Sequence, residues 1–186
     1  MKMDEDSIVI GRPVDEVLQF VADTSNDPKW HTTVVEVRKT SAGPVGLGST
    51  FEGNYDSNKQ TLDTLAVPGN FQGVRAVIAE YVPGRSARVH VKFTHPPRGI
   101  GARVLGRTFE LTFRVEAVPE GTRLHRGGEF HPVPLVWPLL ALYWRPRLPF
   151  RRTSSPPRSF SSGRNLYLLE NIKRAIEGPA EKAAAR

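Results

Sequence analysis

Apolar and polar residues alternate with period two through the middle of this chain. From Arg85 to Thr94, Ala87, Val89, Val91 and Phe93 alternate with Arg88, His90, Lys92 and Thr94. From Arg107 to Val118, Phe109, Leu111, Phe113 and Val115 alternate with Thr108, Glu110, Thr112 and Arg114. Such a pattern predicts strands with one buried and one wetted face. Val34–Thr40, Ser49–Tyr55, Val74–Val82 and Thr122–His131 read as further strands. Turn signals separate them: Gly43-Pro44 through Gly48, Pro83-Gly84 and Pro119-Glu120-Gly121. Ser7-Ile8-Val9-Ile10 reads as a short strand ahead of the rest. Asp56–Gly73 and His95–Gly106 read as loops.

The period changes in three places. Val14, Val17, Leu18 and Val21 fall at helical spacing behind Pro13, which is expected in the first turn with Asp15 and Glu16 near the positive helix end. A second short helix is expected over Ser25–Trp30, capped by Ser25 or Asn26. Arg164–Glu177 reads as a helix with Leu166, Leu169, Ile172 and Ile176 on one face. A sheet with one apolar face must cover it. The C-terminal helix is the expected cover, with the first helices closing one end and a pocket between sheet and helix. The expected fold is α+β: a curved antiparallel sheet wrapped around a long C-terminal helix, with two short helices after the first strand. One domain is expected over residues 1–178, with an Arg/Pro/Ser-rich interruption at about 145–163 and a flexible tail at 179–186.

Composition narrows the chemistry. The 186 residues include no cysteine, which excludes disulfides, thiolate nucleophiles and thiolate-bound metal. The acidic N-terminus has no apolar core of a signal peptide, so a cytoplasmic location is expected. The net charge of +7 is concentrated rather than spread. No acidic residue occurs from His131 to Leu169, a stretch holding Arg145, Arg147, Arg151, Arg152, Arg158 and Arg164. The remainder is near balance, so a specific nucleic-acid footprint is not supported. Pro132–Trp144 is uncharged and apolar but too short to span a bilayer. Followed by Arg145, Arg147, Arg151 and Arg152, it could serve as an interfacial anchor on anionic lipid. The plainer reading, and the favoured one, makes Leu135–Trp144 the first half of the covering helix.

The strand parities nominate a cavity wall: Phe51, Val89, Val91, Phe93, Phe109, Leu111, Phe113, Leu124 and Phe130, with Leu166 and Leu169 from the helix. Most of these serve equally as plain core. Arg126 shares parity with Leu124 and Phe130. If it points inward it must meet an acid, a ligand or water, because a buried guanidinium without a partner is costly. A bulge near Gly127-Gly128 would instead turn it outward. Trp30 and His31 are expected near the pocket mouth, where a histidine suits acid–base work, although an exposed loop histidine is the commoner case. Tyr55 shares parity with Phe51 and Gly53, so its hydroxyl could orient a ligand or simply bond to backbone. Arg126, Tyr55 and His31 are thus the candidate catalytic residues. His90, Lys92, Glu110 and Arg114 read as cross-strand pairs on the wetted face. No nucleophile–base–acid set, metal-ligand spacing or phosphate-cradling glycine loop is visible, and no cofactor is expected.

The chain resembles the START-like (SRPBCC) superfamily, the helix-grip group of polyketide cyclases and dehydrases, Bet v 1-like proteins and lipid-transfer domains. The resemblance is carried by Ile8-Val9-Ile10 with Arg12-Pro13-Val14-Asp15-Glu16-Val17 and by Asp27-Pro28-Lys29-Trp30. Gly46-Leu47-Gly48-Ser49, Tyr81-Val82-Pro83-Gly84-Arg85 and Gly121-Thr122-Arg123-Leu124 complete it. It spans roughly residues 7–131 and departs after His131, where the Arg/Pro/Ser segment interrupts what should be one long helix. The resemblance implies binding of a small hydrophobic or aromatic ligand, with a polyketide cyclase/dehydratase-like activity as one form of that function. The alternative is a non-enzymatic lipid carrier that meets anionic membranes through residues 132–152.

Overall fold

The computed structural model describes residues 2–56, 73–94, 108–131 and 162–178. Within them lie seven strands: β1 (Lys2–Ile10), β2 (Val34–Lys39), β3 (Thr50–Tyr55), β4 (Gly73–Val82), β5 (Ser86–Phe93), β6 (Thr108–Val118) and β7 (Gly121–His131). They form one open antiparallel sheet in the order β1-β7-β6-β5-β4-β3-β2. Helix α1 (Val14–Ala22) and a 3-10 helix (Thr24–Lys29) connect β1 to β2, and helix α2 (Ser162–Glu177) follows the sheet. This is the helix-grip arrangement that the alternation pattern and the two helical segments require.

The alternation sorts the side chains as anticipated. Phe51, Ala76, Ile78, Ala87, Val89, Val91, Phe113, Val115 and Leu124 are buried on the inward face. Val17, Leu18, Val21 and Ala22 of α1 close over them, packing on β5, β6 and β7. Each of the Val and Leu side chains, fully buried, contributes about 1.5–3 kcal/mol. The outward face carries paired charges: Arg75 with Glu52 (2.9 Å), Arg88 with Glu80 (3.2 Å), His90 with Glu110 (2.8 Å), and Arg114 with Glu5. The cross-strand reading of His90 and Glu110 thus holds, whereas Arg114 reaches past β7 to Glu5 on β1.

Helix α2 sits mainly over β1, at one edge, rather than across the sheet centre. Leu168, Leu169 and Ile172 are its buried residues, whereas Leu166 is 45% exposed. The inward stripe therefore runs through Leu168 instead of Leu166, because the helix meets the sheet along β1. Two polar contacts fix this seat. Lys173 Nζ donates to the Val9 carbonyl at 2.7 Å, and Glu177 Oε1 accepts from the Gly11 N–H at 2.7 Å.

Three local expectations are corrected. Pro13 is the extended residue before α1 and not its first helical residue. The cap of the 3-10 helix is Asp23, whose carboxylate accepts from the Ser25 N–H at 3.1 Å; neither Ser25 nor Asn26 plays that part. Strand β1 starts at Lys2 instead of Ser7, because pairing with β7 carries the acidic Asp4-Glu5-Asp6 run into the sheet. The interruption at 145–163 lies outside the described residues up to Ser161, and so do the 132–152 segment and the 179–186 tail.

Candidate ligand-binding site

Strand β7 runs in unbroken antiparallel register with β6, pairing Phe113 with Arg126 and Leu111 with Gly128. On its other side, Ile8 pairs with Leu124 and Asp6 with Arg126. The irregularity on that side falls between Met3 and Asp6, so β1 takes up the extra residue and Gly127-Gly128 does not bulge away from β6. Arg126 therefore keeps the parity of Leu124 and points inward, where it is only 4% exposed.

The 3-10 helix brings the acid side of the site. Its backbone is pinned by the Asp27 carbonyl, which accepts from the N–H groups of Trp30 (3.1 Å) and His31 (2.8 Å). Asn26 Nδ2 ties the same turn to the Phe20 carbonyl at 3.1 Å. This holds Asp27 over the sheet and buries Trp30 to 4% exposure. The Arg126 guanidinium lies 5.9 Å from the Trp30 ring centroid, within cation–π range. The indole Nε1 of Trp30 is buried and makes no hydrogen bond among the described residues.

Asp27 and Tyr55 line a recess with Val21, Thr24, Val37, Val74, Ala76, Val89, Val91, Leu111 and Phe113. Its cavity volume is about 20 Å³. That is room for about one water, so the walls nearly meet. The inward face continues beyond it as a row of rings. His31 lies 5.4 Å from Trp30 and 5.9 Å from Tyr55; Tyr55 lies 6.2 Å from Phe93, and Phe93 lies 5.5 Å from Phe109. Tyr55, Phe93, Phe109 and Leu111 are only half-buried. A larger open hollow, about 760 Å³, lies over outward-facing residues including Glu52, Arg75, His90 and Glu110, whose charges are already paired.

The electrostatics of the inner site follow from burial. Desolvation raises the Asp27 carboxyl well above its ordinary value of 3.8, against the opposing pull of Arg126, and Asp23 adds to the rise. Tyr55 is raised above its ordinary value by burial first and by Asp27 second, so its hydroxyl stays protonated. Arg126 is lowered to about 10 by burial, with Asp27, Tyr55 and Asp6 each favouring its charged form. At neutral pH the site thus holds a guanidinium cation and a phenol, with carboxyl groups from two different elements.

The expected wall residues divide between the recess, the ring row and the core. Tyr55, Val89, Val91, Leu111 and Phe113 line the recess; Phe93 and Phe109 extend it as rings; Phe51 and Leu124 are core beside it. His31 stands between Trp30 and Tyr55, with its Nδ1 sharing a 2.9 Å hydrogen bond with the Thr33 hydroxyl. The side chain of Phe130 lies outside the described residues. Leu169 is core under α2 and Leu166 is exposed, so neither reaches the recess. Among the described residues, the recess lies under α1 and the 3-10 helix, while α2 covers the β1 edge. The two acids were not anticipated. Asp6 shares parity with Ile8 and Ile10, and Arg126's need for an acid was itself a pointer to Asp27. Among the described residues, no group of three or more His, Asp or Glu side chains could hold a metal ion, and no helix is long and apolar enough to cross a membrane.

A family described as "Polyketide cyclase / dehydrase and lipid transport" matches residues 5–151, a stretch that holds every residue of this site. No protein of curated function matches the chain significantly. Among solved structures, Ara h 8.0201 is similar in fold, with 11% identity, a TM-score of 0.55, and coverage of 95% of this chain and 97% of that one. The di-domain ARO/CYC BexL from the BE-7585A biosynthetic pathway gives 17% identity, a TM-score of 0.55, and coverage of 95% and 46%. The di-domain ARO/CYC StfQ from the steffimycin biosynthetic pathway gives 15%, 0.55, and 95% and 52%. This chain thus spans about half the length of each di-domain protein, and at these identities the likeness speaks for fold alone.

Proposed function

This chain belongs to the polyketide cyclase/dehydrase and lipid transport family, and from that premise we propose that it binds a small hydrophobic or aromatic molecule against the inner face of its sheet. One observation carries the reading: a row of half-buried rings, His31, Tyr55, Phe93 and Phe109, leads to a buried Arg126 flanked by Asp27 and Trp30. Apolar walls with a few convergent polar groups are the ordinary composition of a ligand pocket. The rings take the flat apolar body of the ligand and the polar cluster takes its oxygen. On this reading the ligand lies along the rings and parts the nearly closed walls of the recess to reach Arg126.

A cyclase or dehydratase would need little more from the protein. It would fold a reactive chain in a dry site, with the Asp27 carboxyl and the Tyr55 hydroxyl beside a fixed cation. His31, Tyr55 and Arg126 remain the candidate catalytic residues on this reading, joined by Asp27. Native mass spectrometry after gentle purification tests the binding claim. A co-purified or added lipophilic molecule that survives into the gas phase supports it, and its persistent absence across added aromatic and lipid candidates would overturn it.

A second reading, lipid carriage at membranes from a cytoplasmic location, is favoured by the acid-free sequence from His131 to Leu169 with Arg145, Arg147, Arg151 and Arg152. Flotation with anionic vesicles at low salt decides it. Retention that is lost when these four arginines are replaced supports carriage; no retention, or unchanged retention in the variant, ends it.

A further inference from the structure

We propose that the inner site selects an uncharged, oxygen-bearing aromatic ligand and rejects carboxylates, with Asp6 and Asp27 setting that preference around Arg126. The inference rests on the binding reading above and names the class of ligand. A lone buried arginine would invite an anion such as a fatty-acid carboxylate. Arg126 is not alone. Asp6 faces it directly across the β1–β7 register. Asp27 lines the adjoining recess, and both acids act electrostatically on the guanidinium.

Among the described residues, the Arg126 cation is therefore already met by acids. With Asp27 protonated, Asp6 still opposes the cation; with Asp27 ionised, both acids do. Neither state leaves a positive excess among these groups for an anionic ligand. A carboxylate entering here would be stripped of water and set beside like charge, which is costly in a buried site.

Hydrogen-bond donors, in contrast, are plentiful. The Trp30 indole N–H is buried without an acceptor among the described residues. The Tyr55 phenol stays protonated, and the Arg126 guanidinium is rich in N–H groups. A carbonyl or quinone oxygen supplies acceptor lone pairs without a net charge, and its aromatic body matches the ring row from Tyr55 to Phe109.

The test is a matched pair of probes, 2-acetonaphthone and 2-naphthoate, titrated calorimetrically into the full chain near neutral pH. They share a ring system and differ in charge. The ketone should bind at least about tenfold tighter than the carboxylate. Equal or tighter binding of the carboxylate overturns the selectivity while leaving the pocket reading intact. Measurable binding of neither overturns the pocket reading itself, and the selectivity with it. Asp6→Asn and Asp27→Asn, each checked for a cooperative urea transition, should narrow the gap between the probes. An unchanged gap in two folded variants removes both acids from the role, and the wild-type pair remains decisive if either variant fails to fold.

Discussion

Arg126 and Trp30 face each other inside the protein, the guanidinium 5.9 Å from the indole centroid and both residues 4% exposed. This contact joins β7 to the 3-10 helix and spans the site from sheet to cover. Removing the guanidinium would take the cation away from the buried Asp27 and from Asp6 beside it. Arg126→Met should therefore cost about 3–5 kcal/mol in urea unfolding. Adding Asp27→Asn to it should recover about 1 kcal/mol or more relative to the sum of the single changes, since the two groups are coupled. Strict additivity would mean that Arg126 and Asp27 do not interact.

Two carboxyl groups give acid titrations of opposite sign. Burial holds Asp27 well above 3.8, so the folded chain keeps this proton more tightly than the unfolded chain. Its stabilising contribution is full below that ordinary value and is lost as pH rises through the raised folded value. Hydrogen bonds from Arg123 and His125 lower Glu116 from 4.5. Its contribution is present above 4.5 and is lost as pH falls through the lowered value. Urea midpoints between about pH 4 and pH 7 should decline less steeply with pH in Asp27→Asn than in the parent. Glu116→Gln should lose its disadvantage toward acid pH. A parallel profile for Asp27→Asn would show that its carboxyl titrates normally in the fold.

The inward parity of Val89, Val91, Leu111, Phe113 and Arg126 was legible because alternation directly records which side of a strand is wet. The seat of α2 was not. Its sequence shows an apolar stripe but cannot say that the stripe meets β1 at the edge rather than the sheet centre, and so Leu166 shares the stripe's spacing yet lies exposed. Asp6 was hidden for a different reason. An acidic run reads as a solvated terminus, and only pairing with β7 reveals that Asp6 continues the parity of Ile8 and Ile10. Asp27 sat in a recognised sequence pattern without a role, because its function depends on a residue about a hundred positions away in sequence and close in space.

At Gly53, β3 passes close against β2. A methyl group added there would lie 2.5 Å from the Glu36 carbonyl oxygen and 2.7 Å from Val37 Cγ2. The carbonyl belongs to the ladder and cannot swing away, so Gly53→Ala must push the strands apart. The expected loss is roughly 1–3 kcal/mol, typical of overpacking. Because Val37 and Tyr55 both line the recess, aromatic-probe binding should weaken along with thermal stability. Full stability in this variant would show that β2 moves aside freely.

Lys173 and Glu177 lie 3.4 Å apart on one face of α2, and each also reaches the end of β1. Lys173 caps the Val9 carbonyl while Glu177 receives the Gly11 N–H, so the pair fastens the helix at the point where the chain leaves the sheet for α1. Both side chains are about one-third exposed, so solvent moderates the gain. Lys173→Met should cost about 1 kcal/mol, the scale of a single net hydrogen bond. Hydrogen exchange gives the more telling readout. Amides of α2 and of β1 near Val9 should exchange faster in Lys173→Met, while those of β5 and β6 keep their protection. Uniform acceleration across the sheet would instead mean that α2 and β1 open only with the whole domain, and the clamp would then be a global contact rather than a local fastening.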